Sequence, residues 1–373
     1  MFQKDIAQKE IQSFNLIPNG AVSIHNPWND GADDKHPNIY SLASLHYLNG
    51  WSGSNYAAAN RFIKTLGNRE VNFTEIWFPA YDRFGHTIKS DDKLKRKYMQ
   101  FDNLVGKIAK GLEDKSQLDE TLIILLADHS MSEVKENVNP NLICYDAGFR
   151  PKIARRKNNY DCMVLAYGYG VGQIYMKDKV EKEKLEERIQ LLLEEESVEH
   201  VILKEGNKRI VYSQSSTVEI SIRDDQYQMI ILDGTNPFDY SDSLCQKLSQ
   251  LHTARESLEL TCNEEQPDAI VGTAESMHHP NSPSLRFLAS EGYAFGKIRN
   301  YVHWPAWINS NRVRSHGTLH RTQSQVPLVI AGPEIIEPKV IQTARNIDWM
   351  PTFLELAGYE VPSDIDGQSL LHL

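Results

Sequence analysis

Residues 122–127, Leu-Ile-Ile-Leu-Leu-Ala, form a continuous apolar run that stops abruptly at Asp128-His129-Ser130. The run has the length of a strand and is far too short to cross a membrane. With no polar residue on either side of the pleat, it reads as a strand buried on both faces of a parallel sheet. Its surroundings repeat the pattern. NYAAANRFIKTL has helical apolar spacing, and EIWFPAY is a short apolar run ending at Asp82. DKLKRKYMQFDNLVGKIAKGL places Tyr98, Phe101, Val105, Ile108 and Leu112 on one helical face. Strand, helix and strand at this spacing predict a βαβ unit.

From residue 173 the texture changes. QIYMKD reads as a strand and VEKEKLEERIQLLLEEE as a helix with a charged face. VEHVILKEG, KRIVYSQS, TVEISIRD and QMIILDG follow as short β-rich runs. We read 173–234 as an α+β insertion. Residues 236–263 are helical in pattern. VPLVIAGPEI then restores a buried strand, and IDWMPTFLELAG a helix stopped at Gly358. The predicted organisation is a first part of an α/β core at 1–172, the insertion at 173–234 and a second part of the core at 235–373.

The chain has 373 residues, 40 Lys+Arg and 50 Asp+Glu, a net charge of −10. That balance argues against stable nucleic-acid binding and suits a site that holds cations. No apolar run approaches a membrane span. The first residues, MFQKDIAQKEIQSF, are charged and polar and do not read as a secretory signal. As written the chain is expected to be cytoplasmic, with an upstream leader left open. Cys144, Cys162, Cys245 and Cys262 lie far apart without metal-ligand spacing and read as free thiols.

Chemistry in an open α/β sheet collects where strands end. EIWFPAY runs into Asp82-Arg83-Phe84-Gly85-His86, and the 122–127 run into Asp128-His129. Ser315-His316-Gly317 precedes VPLVIAG. A carboxylate and an imidazole at separate strand ends are the hard and borderline donors that a divalent transition metal takes. His25, His36, His46, His200, His252 and His372 have no such context, and His278-His279 reads as a loop. His320 reads as an uninvolved loop residue, with an indirect role beside His316 as the alternative.

In this order the motifs resemble the alkaline phosphatase superfamily, in its type I phosphodiesterase/nucleotide pyrophosphatase and sulfatase-like branch. PAYDRFGH with the helix after it, TLIILLADHSM, SHGTLHRTQSQVPLVIAGPEI and ARNIDWMPTFLELAGYEVPSDIDGQSLL carry the likeness, which runs from about residue 70 to the C-terminus. The resemblance implies a three-layer α/β/α sandwich with a mostly parallel sheet and the α+β insertion. It implies two divalent metal ions, zinc preferred over manganese. Asp82, His86 and His316 would hold one, and Asp128 and His129 the other. Two cations roughly 4 Å apart would clamp an in-line displacement at phosphorus. The implied activity is hydrolysis of a small-molecule phosphodiester or nucleotide pyrophosphate. Sulfate-ester hydrolysis or phosphosugar mutation on the same scaffold is the alternative, and a non-catalytic metal-binding remnant the other. Oligomeric state is not legible.

The sequence departs from the family pattern in two places. The opening strand ending in Asp-Gly, with its Thr or Ser nucleophile, is not found upstream of Asp82: Asp5, Asp30, Asp33 and Asp34 follow no apolar run. The chain is therefore expected to begin downstream of its nucleophile and to be a poor phosphodiesterase by itself. QMIILDG followed by Thr235 mimics the missing strand, but reads better as the last strand of the insertion. Ser130 stands where the family has glycine, which is tolerable unless the backbone there needs a positive φ.

Overall fold

A computed structural model describes residues 21–24, 51–66, 73–152, 159–167, 169–296, 312–333, 335 and 337–372. Asp5, Asp30, Asp33, Asp34, His25, His36 and His46 lie outside the described residues. The chain divides into two compact units, Met1–Ile123 with Ile330–Pro338, and Ile124–Val329 with Lys339–Leu373.

In the first unit, β1 (Ala21–Ile24) and β2 (Phe73–Ile76) pair in parallel around the helix α1 (Trp51–Leu66). The expected strand EIWFPAY ends at Ile76, and Ala80–Thr87 is a helix, α2. Pro79 is the reason: it has no N–H for a ladder, and its φ of −66° already belongs to a helix. The next helix, α3 (Asp91–Glu113), is capped by Ser90, whose side chain accepts from Lys93 N, with Asp91 and Asp92 in the first turn. Its buried stripe is Leu94, Leu104 and Leu112, with Ile108 half-buried. Tyr98, expected on that stripe, is half-exposed and stacks on Tyr81 at 6.0 Å. Leu112 packs with Ala58 and Phe62 of α1, while Ala80, Phe84 and Leu94 form a second small core.

The second unit opens with β3 (Ile123–Leu126), followed by the short strands β4 (Ser132–Glu133) and β5 (Glu136–Asn137) and the helix α4 (Pro140–Asp146). Then come β6 (Cys162–Tyr167), β7 (Val171–Met176), α5 (Lys182–Leu193) and β8 (Val198–Glu205). They are followed by β9 (Lys208–Tyr212), β10 (Ser216–Arg223), β11 (Gln226–Gly234), α6 (Asp242–Leu248) and β12 (His252–Thr253). The helices α7 (Ala254–Thr261) and α8 (Ala269–Ser276) precede β13 (Leu285–Ala289) and β14 (Tyr293–Ala294). β15 (Arg314–Ser315), α9 (Arg321–Ser324), β16 (Leu328–Ala331) and α10 (Trp349–Leu356) complete the order.

The α/β character is present, but the main sheet is not the parallel one expected. Eight strands run in the order β12-β11-β10-β9-β8-β13-β7-β6, and every pairing in it is antiparallel. The connections dictate this. Gly206-Asn207 joins β8 to β9, and Asp224-Asp225, with φ of 48° and 57°, joins β10 to β11. Loops of two residues with left-handed backbone close hairpins and cannot make parallel crossovers. The sheet extends beyond 173–234, since β6 and β13 belong to it. Both faces are apolar. Val201 pairs with Tyr212 and Leu203 with Ile210 on one face, packed against Ile189, Leu192 and Leu193 of α5. Ile202 pairs with Val211 on the other, with Val218, Ile220 and Met229, under Leu244 of α6 and Ile270 of α8. β11, the strand whose Asp-Gly end resembles the family's opening strand, is a member of this antiparallel sheet.

β3 pairs with β16. Neither is sealed on both faces: Leu126 is 43% and Val329 52% exposed. Among the described residues each has one partner strand, so the ladder does not gain the flanking strands that would bury it. The C-terminal helix matches its sequence reading. Gly358, at φ 74°, stops α10, and its N–H donates to Glu355 O. Ahead of α10, the buried Asp348 accepts from Arg255 Nη2 at 2.8 Å, Arg345 N at 2.7 Å and Gln368 N at 2.9 Å.

Candidate metal and phosphoester site

Asp82 and His86 belong to the first unit; Asp128, His129 and His316 belong to the second. On α2 the two residues are one turn apart, so they share a helix face. His86 Nε2 lies 3.3 Å from Asp82 Oδ1. His86 is 4% exposed and Asp82 lies open beside it, so a buried imidazole is oriented by a half-exposed carboxylate.

In the second unit Asp128 and His129 follow β3. His129 N donates to Asp128 Oδ1 at 3.1 Å, and its Nδ1 lies 3.2 Å from Ser130 O. Ser130 needs no positive φ, which accounts for serine in the position of the family's glycine. The pairing of β4 with β15 sets Ser132 opposite Ser315 and brings the two histidine loops together. His129 and His316 stack face to face, with ring centroids 3.4 Å apart and planes at 7°.

Several residues that the sequence did not single out hold this arrangement. Buried Gln323 binds both loops: its Nε2 donates to Ser132 Oγ at 2.6 Å, its Oε1 accepts from Thr318 N at 2.9 Å, and its carbonyl accepts from Ser130 N at 2.9 Å. Gly170 N donates to His316 O at 2.9 Å, and Tyr169 bridges to His316 in parallel register. A Cβ on Gly170 would sit 2.6 Å from His316 O, so no other residue fits that approach. Gly317, at φ 107°, has a backbone that glycine alone adopts easily. Gly-Tyr-Gly at 168–170 was the one available sequence signal for this contact, being a turn motif without a partner.

His320 is not the uninvolved residue expected. Its Nε2 lies 2.7 Å from Glu199 Oε2. Burial is the largest single influence on both groups and opposes their charge, but their hydrogen bond and the neighbouring opposite charges together outweigh it, so the Glu199 carboxyl is held below its usual range and His320 above its own. Gln266 extends the network, donating to Glu199 Oε1 and lying 3.2 Å from His200 Nε2. Burial pushes His200 down. The tie between His320 and β8 fixes the far end of the loop that starts at His316. All four cysteines are free thiols, and burial pushes Cys162 up to about 12, which removes it as a nucleophile.

The model of the type I phosphodiesterase/nucleotide pyrophosphatase family matches residues 11–295, more than half of the chain. The protein belongs to this family. Two curated relatives match locally. An N-acetylglucosamine-6-O-sulfatase of Bacteroides thetaiotaomicron is 48% identical over 48 residues, 12% of this chain and 9% of the relative. Arylsulfatase K of Xenopus laevis is 39% identical over 57 residues, 15% of this chain and 11% of the relative. The chain thus covers about a tenth of the length of each.

Proposed function

We propose that this member of the type I phosphodiesterase/nucleotide pyrophosphatase family is a metal-dependent hydrolase of small-molecule phosphoesters, acting on a phosphodiester or nucleotide pyrophosphate bond. The family match over residues 11–295 carries the reading. The donor set supports it. Asp82 with His86, and Asp128 and His129 with His316, combine carboxylate oxygen with imidazole nitrogen, the mixture that zinc takes most readily and manganese next. The expected division, Asp82, His86 and His316 for one ion and Asp128 and His129 for the other, is part of the proposal. Bound divalent ions would polarise the phosphoryl group and neutralise charge on it.

The chain's own residues do the rest. Asp82 orients the His86 imidazole through its 3.3 Å contact. Gln323 and the His320–Glu199 pair set the position of the His316 loop from both ends. Hydrolysis of bis-p-nitrophenyl phosphate with added zinc or manganese tests the reading. Metal-dependent turnover that His86→Ala and His316→Ala abolish supports it, and turnover unaffected by either variant overturns it. Sulfate-ester hydrolysis is the second reading, favoured by the two local sulfatase matches. Turnover of p-nitrophenyl sulfate in preference to the phosphodiester would select it.

A further inference from the structure

The eight-stranded sheet is open along the outer side of β11. The strand beyond it, β12, is two residues long and pairs only with Gln226 and Tyr227. From Gln228 to Gly234, β11 has no neighbour on this side among the described residues. Arg223 and Gln226 flank the two-residue turn and so form a hydrogen-bonded pair. Alternation then points the backbone groups of Tyr227, Met229 and Ile231 away from β10. Those of Tyr227 meet β12, while those of Met229 and Ile231 face outward with no strand beside them.

The side chains along this edge are apolar and uncovered. Ile230, Ile231 and Leu232 are 38%, 40% and 54% exposed, three in a row in a strand whose Tyr227 and Met229 are buried. A bulge leaves Leu232 without a partner on β10, since Val218 pairs with Ile231 and Thr217 with Asp233. Open edges are normally blunted by Lys, by Pro or by a covering element. From Gln228 to Gly234 there is neither Lys nor Pro, and Asp233 is the one charge. A groove of about 310 Å³ runs beside the edge, with Met229, Ile230 and Ile231 on one side and Asp242 and Gln246 of α6 on the other. Gln228 Nε2 donates to Ser249 O at the end of α6 and holds that helix against the strand.

We propose that this edge is the contact between two copies of the chain, with β11 pairing antiparallel to itself across a two-fold axis at Ile231 and joining two sheets into one. Ile231 is the centre of the open stretch 228–234, so each open position finds its counterpart on the second copy. Ile231 meets Ile231, Ile230 meets Leu232 and Met229 meets Asp233, with no like charges opposite each other. The outward backbone groups of the two Ile231 residues exchange hydrogen bonds. The same axis reverses α6, so the first turn at Asp242 comes toward the last turn at Lys247 of the second copy, both of them exposed. Opposite charges flanking the seam favour a second copy as the occupant. Such an isologous contact consumes both open edges and closes at two copies.

The test is sedimentation velocity of the full chain over a concentration series at constant ionic strength. The wild type is expected to form a dimer and no larger species. Ile231→Lys sets identical charges opposite each other and is expected to raise the dimer dissociation constant at least about tenfold. Ile231→Glu should do the same by itself, and an equimolar mixture of the two variants should restore the dimer. Ile231 is already partly exposed, so neither charge is forced into the core. Leu232→Ser should weaken the dimer by a smaller factor and serves if the charged variants do not fold. A wild type that stays monomeric throughout overturns the proposal and leaves the edge to a strand of another protein. A dimer unchanged in Ile231→Lys overturns it in favour of a different face. Assembly beyond two copies overturns the closed pairing, and a mixture of the Lys and Glu variants that stays monomeric overturns the register at Ile231.

Discussion

Three side chains show how surroundings, rather than residue type, set charge in this protein. Asp268 is pushed up to about 6 because burial outweighs its ion pair with Arg345 at 3.1 Å. A carboxyl raised from 3.8 costs stability as it ionises, so this cost grows between about pH 4 and pH 6 and is complete by pH 7. Asp268→Asn keeps a residue that tolerates the φ of 57° at this position. The stability of the variant relative to wild type is expected to rise by on the order of 2–3 kcal/mol from pH 4 to pH 7 in urea titrations. A constant difference would count against the burial argument. His320 and Glu199 work in the opposite sense. His320 is raised, so its contribution is present below pH 6.5 and lost as pH climbs past its folded value. Glu199 is lowered, so its contribution is present above pH 4.5 and lost on acidification. The pair should stabilise most between these limits. His320→Gln is expected to cost about 1–2 kcal/mol at pH 5.5 and measurably less at pH 9. Equal losses at the two pH values would show that the bond does not depend on charge.

At the scale of elements, the antiparallel sheet depends on close approach between neighbouring strands. Phe287 of β13 lies opposite Gly172 of β7, and its ring occupies the space that a Cβ at 172 would take. Gly172→Ala is expected to destabilise by about 1–3 kcal/mol, the usual penalty for overpacking a full core. The denaturation midpoint checks it, and Phe287→Leu in the same chain should recover part of the loss. Recovery would locate the strain in this one contact; its absence would locate it in the backbone of β7. α2 was misread for a related reason. Apolar residues at 76–81 fit a strand or a helix over so short a span, and Pro79 decides between them.

At the scale of the whole molecule, metal and stability are linked. A ligand that binds the folded chain alone raises its melting temperature by mass action. Zinc is expected to raise the melting temperature of the full chain in a concentration-dependent way, and His86→Ala to remove most of that rise. His86 is buried, so the comparison is between the shifts with and without zinc in each protein, not between their starting temperatures. Identical zinc shifts in wild type and His86→Ala would remove α2 from the proposed site. The net charge of −10 favours cation uptake in general, so magnesium at equal concentration is the control.

The sequence by itself determined the motifs and their order: Asp82 with His86, Asp128 with His129, and His316 ahead of an apolar strand. It also determined most element positions, because apolar periodicity and stop signals such as Gly358 are local. The family followed from that order. The direction of the main sheet was decided by two-residue hairpins, and Asp224-Asp225 carries no glycine to announce the left-handed backbone it adopts. Gln323 and Glu199 became visible only through partners 121 to 191 residues away. A hydrogen bond across such a separation leaves no trace in local spacing, since it depends on where the chain returns in space.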